Sequence, residues 1–131
     1  MTDPFDERYQ QTVFLLRSPL PNDWRHFCVL TACNPAGELK PSRVNTASTQ
    51  ALRRCLIGRD LSFYSVTGCS PDMTHQEMGF GIQTDINEAS ELAQLFNQLA
   101  FYWVQDDQLF LVESASLKKK YIGSWTVLTH V

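Results

Sequence analysis

No apolar run in the sequence approaches the ~20 residues that cross a bilayer as a helix, so no membrane partnership is expected. The first residues, Met1 to Arg8, are acidic and lack an apolar stretch behind a basic one, which argues against a secretory leader. Positive charge is scarce as well. Eleven Lys plus Arg against 14 Asp plus Glu leave a net charge of −3, which argues against binding driven by neutralising a phosphate backbone. Nucleic acid is therefore not an expected partner, and the one basic run, Lys118-Lys119-Lys120, reads as a solvated loop. Cysteine is limited to Cys28, Cys33, Cys55 and Cys69, with no Cys-x-x-Cys spacing and mostly apolar neighbours, the pattern of buried thiols in a reducing cytoplasm. Cys28 and Cys33 with His26 match no zinc spacing, and neither a metal nor a cofactor is expected. Also missing are a Gly-x-Ser-x-Gly elbow, a phosphate-binding glycine loop, His-Glu-x-x-His and a dinucleotide fingerprint. Gly79-Phe80-Gly81 lies inside a strand pattern and carries no nucleotide signal.

What is present suits one α+β domain over 1–131, with a core from about 12 to 113 and a tail over 114–131. Of 131 residues, 44% are hydrophobic and 11% aromatic, enough to fill a core without disulfide or metal. Thr12 to Leu16 and His26 to Ala32 are β-prone runs, separated by the turn signals of Ser18-Pro19-Leu20-Pro21. After the loop Cys33 to Pro41, Ser42 stands at an N-cap place. Val44, Ala47, Ala51, Leu52, Cys55 and Leu56 then recur at helical spacing up to Gly58.

Leu61 to Thr67 and His75 to Ile82 read as strands around the turn Gly68 to Asp72. In the second, Gln76, Met78, Phe80 and Ile82 share one face, while His75, Glu77, Gly79 and Gly81 share the other. Asp85 with Glu88 resembles a capping box, opening a helix whose buried stripe is Ile86, Ala89, Leu92, Ala93 and Phe96. Ala100 to Val104 and Leu109 to Val112 form a hairpin around Asp106-Asp107, and Tyr121 to Val131 reads as an edge strand or docked tail. The order implies a two-layer sandwich with a ferredoxin-like β-α-β-β-α-β core plus extra strands. Its mainly antiparallel sheet carries two helices on one face and leaves the other for solvent, a ligand or a second subunit. The strand aromatics Phe63 or Tyr64, Tyr102 and Trp103 lack the basic neighbours of an RNA-stacking sheet and read as core.

Two places offer chemistry. The loop Thr31-Ala32-Cys33-Asn34-Pro35 runs from a central strand towards a helix N-terminus bearing Ser42, Arg43 and Asn45, where free amides and Arg43 suit an anion or carboxylate. The plain alternative is local: an Asx turn at Asn34, a cap at Ser42 and a loop brace at Asn45. His75 and Glu77, two apart on a strand, project to one side and suit an acid and base pair, with Gly79 and Gly81 clearing space beside them. The alternative there is an exposed polar face or a subunit interface.

The motif Thr31-Ala32-Cys33-Asn34-Pro35, then Asn45, His75, Glu77 and Phe96-Asn97-Gln98-Leu99-Ala100, resembles a bacterial family known as domain of unknown function 3293, from about Phe14 to Val112. In that family an aromatic is frequent where this chain has Cys33, and a glycine where it has Asn97. The first departure argues against a reactive role for Cys33, and the second argues against a glycine-dependent helix end at Asn97, although Asn also adopts the left-handed conformation. The resemblance implies one constellation containing Asn34, Asn45, His75, Glu77 and Gln98, with no activity attached. The expectation is a small binding or regulatory module whose pocket, built from Thr31, Asn34, Ser42, Arg43, Asn45 and Gln98, takes a polar or anionic small molecule. The alternatives are an enzyme using His75 and Glu77 on a polar or nucleotide-like substrate, and a homodimerising protein without a ligand.

Overall fold

A computed structural model describes residues 3–131. Helix α1 (Glu7–Gln10) leads into strand β1 (Val13–Leu16), and β2 (His26–Thr31) follows the proline-rich turn. Helix α2 (Ser42–Gly58), strands β3 (Phe63–Cys69) and β4 (Gln76–Ile82), helix α3 (Ile86–Leu95), and strands β5 (Ala100–Gln105) and β6 (Gln108–Glu113) complete the middle of the chain. Strand β7 (Lys119–Ser124), the single turn α4 (Trp125–Leu128) and β8 (Thr129–His130) end it. The fold is α+β. Its strands form one eight-stranded sheet in the order β7-β6-β5-β2-β4-β3-β1-β8. The pairings are antiparallel except that of β1 with β8.

Local chemistry explains several boundaries. Asp85 caps α3 by accepting the Glu88 amide at 2.7 Å, while the Glu88 carboxylate bonds Thr84 at 2.7 Å and Arg59 at 3.2 Å instead of closing a capping box. The same helix ends in a Schellman motif: the Asn97 amide reaches the Gln94 carbonyl at 3.1 Å and the Gln98 amide the Ala93 carbonyl at 2.8 Å. Asn97 has φ 55, the left-handed conformation that a glycine would adopt most easily. Asp106 and Asp107 both have positive φ, as a two-residue type I′ hairpin requires. Ser42 is not the cap of α2. Pro41 holds that place with φ −58 and ψ 151, so Ser42 becomes the first helical residue and its side chain makes no capping bond.

The sheet carries two cores. Cys28, Leu30, Phe80, Ile82, Phe101 and Trp103 meet Leu52 and Leu56 of α2 and Ala89, Leu92 and Ala93 of α3. The alternate residues of the same strands face the other way, and there the expectation of an uncovered face fails. Phe27, Val29, Val66 and Val104 pack with Phe14, Leu16, Trp24 and Leu109, and Trp125 and Leu128 join from the tail. A flat sheet of this strand number would be about 33 Å wide. Yet β7 and β8, its two edges, are joined only by α4, one turn about 6 Å long. The sheet must therefore curl until its edges come close, and the concave side fills with side chains. Trp125 lies at the closure, its ring 5.1 Å from that of Phe14 and 5.2 Å from that of Phe27.

Lys119 and Lys120 accordingly lie on an edge strand and not in a loop, with Tyr121 paired to Phe110 at 5.8 Å. Exposed lysines on such an edge discourage pairing with other chains. Asp107 pins the closure: its carboxylate accepts Ser124 Oγ at 2.6 Å and both the amide (2.9 Å) and hydroxyl (2.6 Å) of Thr126. These bonds hold the carboxyl below the usual carboxylate range, so the stability it contributes is present at neutral pH and lost as pH falls through that depressed value. Asp107→Ala is expected to cost about 1 to 2 kcal/mol in chemical denaturation, with a smaller loss for Asp107→Asn, which keeps an acceptor and tolerates the left-handed backbone.

Candidate functional site

The chain between β2 and α2 is unusually contorted. Asn34, Ala36 and Gly37 all have positive φ, so this loop is held by something other than its own preferences. Asn34 and Asn45 supply the hold. Asn34 N donates to Asn45 Oδ1 at 2.9 Å, and Asn34 Oδ1 accepts Asn45 Nδ2 and Lys40 N, each at 2.9 Å. The loop is also tied to the end of α3. Ala36 N donates to Asn97 O at 2.7 Å, and Gln98 Nε2 donates to Cys33 O at 3.1 Å and Phe96 O at 3.2 Å. The two sequence motifs around Asn34 and Gln98 are thus the two halves of one brace.

What the brace presents is Glu77. Asn34 Nδ2 donates to Glu77 Oε1 at 3.2 Å, and His75 Nε2 lies 3.9 Å from Glu77 Oε2, an ion-pair distance too long for a hydrogen bond. The Glu77 side chain is 24% exposed and that of His75 58%, placing the carboxyl in the wall and the imidazole at the rim. Burial pushes the Glu77 carboxyl above its usual range, against the opposing pull of His75 and the Asn34 bond.

Glu77 faces a cavity of about 420 Å³ inside the curl of the sheet. Phe14, Val29 and Leu111 give it an apolar floor; Thr31, Asn34, His75, Gln98 and Tyr102 stand among its polar walls. A second hollow of about 380 Å³ shares Asn34, His75 and Glu77 and adds Ser42, Asn45 and Lys40. Of the residues singled out in the sequence, Thr31, Asn34, His75, Glu77 and Gln98 therefore meet at the first cavity, while Ser42 and Asn45 reach only the second. Arg43 is exposed and lines neither, because the first turn of α2 turns it outward.

Several wall residues were not expected at a site, and Tyr102, expected as core, is one of them. Tyr102 sits between the core residues Phe101 and Trp103, and strict alternation puts it on the concave face. There its hydroxyl donates to Tyr9 O at 2.6 Å and lies 2.8 Å from Thr12 Oγ1. Burial pushes the phenol well above its usual range, keeping it neutral. Tyr9 and Arg8, on a helix of one turn that has no apolar periodicity, also line the cavity. Cys33 is buried between Thr49 Oγ1 (3.8 Å) and the Met78 carbonyl (3.6 Å), and burial raises its thiol, an environment that suppresses thiolate chemistry. Among the described residues, no group of three His, Cys, Asp or Glu is placed to hold a metal ion, and no helix is long and apolar enough to cross a membrane.

Glu77 gives a pH prediction with a definite sign. Its carboxyl holds its proton more tightly folded than unfolded, so that contribution is full below the unfolded value and lost as pH rises through the folded one. Glu77→Gln keeps an acceptor for Asn34 without the desolvated charge. The variant is expected to melt higher than the wild type at neutral pH, with the two curves converging below about pH 4, as differential scanning across pH would show.

No curated protein and no solved structure matches the chain. A family model described as Protein of unknown function (DUF3293) matches residues 30–101, more than half of the sequence and the whole stretch from Thr31 through Asn34, Asn45, His75 and Glu77 to Gln98. The chain belongs to that family.

Proposed function

We propose that the protein is a small binding or regulatory module whose ligand site is the cavity inside the curled sheet. The observation that carries this reading is the roughly 420 Å³ hollow joined to a desolvated carboxyl, Glu77, that a strained and heavily braced loop holds in place. Hollows of this size with an apolar floor and a few convergent polar groups are the usual form of small-molecule sites. A loop kept in an unfavourable conformation next to one is the kind of strain that accompanies positioning. The anion reading loses Arg43, which lines neither hollow; Arg8 in the first and Lys40 in the second stand beside a wall that also holds the Glu77 carboxyl.

The finer ferredoxin-like reading of the core is supported by the internal order β5-β2-β4-β3 with antiparallel neighbours, to which β1, β6, β7 and β8 add. The four free cysteines suit a reducing, cytoplasmic setting. A second reading, an enzyme using His75 and Glu77 as acid and base, is favoured by their shared cavity and 3.9 Å separation.

The test is a thermal-shift screen of amino acids, amines, nucleotides and sugar phosphates on the wild type, His75→Ala and Glu77→Gln. A ligand at about 100 times its Kd adds roughly 2.7 kcal/mol, a rise of several degrees in a domain of this size. A shift present in the wild type and lost in Glu77→Gln supports the module. Turnover of that ligand abolished by His75→Ala, with binding retained, would move the reading to the enzyme. No shift with any class, beside a stable dimer in solution mass measurements, would move it to a dimerising protein.

A further inference from the structure

The hydrogen-bonding state of the cavity wall says what kind of ligand it can satisfy. Several of its donors are already committed within the protein. Both amide hydrogens of Gln98 go to carbonyls, of Cys33 and Phe96; the Tyr102 hydroxyl goes to Tyr9 O, and Ser70 Oγ donates to Asp72 at 2.7 Å. The Arg8 guanidinium is held by both oxygens of Asp6 through Nε and Nη2, at 3.0 and 3.2 Å, while Arg8 Nη1, the Tyr9 hydroxyl and the His75 imidazole make no hydrogen bond among the described residues. One strong acceptor is left over. Glu77 Oε1 takes a single bond from Asn34, and Oε2 accepts no hydrogen bond among the described residues, facing only His75 Nε2 at 3.9 Å.

A ligand therefore meets a wall holding a mostly buried carboxyl, one of whose oxygens accepts no hydrogen bond among the described residues. An anion beside Oε2 would face a like charge at close range. A cationic donor completes the carboxylate's coordination with a charge-assisted bond, in surroundings where water screens little. The same cavity offers Phe14, Val29 and Leu111 to an apolar body, and Tyr9 and Tyr102 also line it.

We propose that the cavity takes a small organic cation, a primary ammonium or amidinium group on an apolar body, with Glu77 as its counter-charge. The proposal rests on the reading of this cavity as a ligand site and narrows it to one chemical class. His75, half-exposed at the rim, gives up its place beside Oε2 when the cation enters.

Three probes of nearly the same shape test it: 2-phenylethylamine, 2-phenylethanol and 3-phenylpropionate, titrated into the full chain and followed by amide shifts in nuclear magnetic resonance spectra. The ammonium probe is expected to bind at least roughly tenfold tighter than the alcohol, with the largest shifts at Thr31, Asn34, Glu77 and Gln98. In Glu77→Gln that preference is expected to shrink to within about threefold, while the alcohol's affinity is kept. Glu77→Asp, which keeps the charge on a shorter arm, is expected to retain part of it. Equal or tighter binding of the alcohol or the carboxylate overturns the cation proposal and leaves the cavity reading standing. Binding of none of the three at millimolar concentration also overturns it, and the broader ligand screen then judges the cavity reading separately.

Discussion

Gly79→Ala is expected to lower the unfolding free energy by about 3 kcal/mol, a large loss for the addition of one methyl group. Gly79 pairs with Thr31 where β4 lies against the central strand β2. A Cβ at this position would stand 2.5 Å from the Leu30 carbonyl oxygen and 2.8 Å from Thr31 Cγ2. The first of these is backbone in the middle of the sheet, so relief requires the strands to separate or the ladder to shift. Gly81, two residues on, provides the control. Its added Cβ would meet Val66 Cγ2 at 3.3 Å and Leu20 Cδ1 at 3.4 Å, side-chain atoms able to move, and Gly81→Ala is expected to cost under about 1 kcal/mol. Urea titration of both variants measures the contrast; equal midpoints would show that the β2/β4 contact is looser than described. Thr31 also lines the cavity, so a displaced strand in Gly79→Ala should weaken any ligand as well.

Asn34→Ala is the second large loss, again about 3 kcal/mol. The side chain accepts from Lys40 N and Asn45 Nδ2, donates to Glu77 and belongs to a residue with φ 47 and ψ 61. Leaving partly buried partners unpaired costs on the order of 1 to 3 kcal/mol, and alanine adds roughly 1 to 2 kcal/mol for the left-handed backbone. Asn34→Gly separates the two contributions: it accepts the backbone and lacks the bonds, so it should recover about 1 kcal/mol relative to alanine. Asn34→Asp keeps the two acceptor bonds but replaces the donor facing Glu77 with a second carboxylate. Its stability should fall more steeply than the wild type's as pH rises from acid, because the pair then resists losing its protons. A variant series in which alanine matches the wild type would remove the brace from the account of Glu77.

The parts of this fold legible in the sequence were those whose cause is local. The capping by Asp85, the buried stripe of α3, the Asp106-Asp107 hairpin and the alternation of β4 each depend on residues a few positions apart, and each left a periodic or turn signal. Ser42 misled because its side chain suits a cap, whereas the preceding Pro41 had already taken the half-helical position. The second core was invisible for another reason. Phe14, Phe27 and Trp125 meet only because the sheet curls, and nothing near any one of them announces the other two. The same holds for the candidate site. His75 and Glu77 could be put on one side of a strand by alternation, and Asn34 and Asn45 could be suspected of bracing a loop. That the brace terminates on Glu77, and that Tyr9 and Tyr102 join the cavity wall, depends on packing between segments distant in sequence.

The closure by α4 also has a kinetic side. The pairing of β1 with β8 joins residues separated by almost the whole chain, such as Phe14 and Thr129, through only a short ladder. Contacts of that span form after the local hairpins because their loop entropy must be met first. A short ladder at a sheet edge is correspondingly among the first to open under native conditions. Phe14 borders both this seam and the cavity floor, so a transient parting of β8 and α4 from β1 would expose the cavity without unfolding the rest. Hydrogen exchange would register that event as a shared opening rate for the β1 and β8 amides, slowed when a ligand fills the cavity.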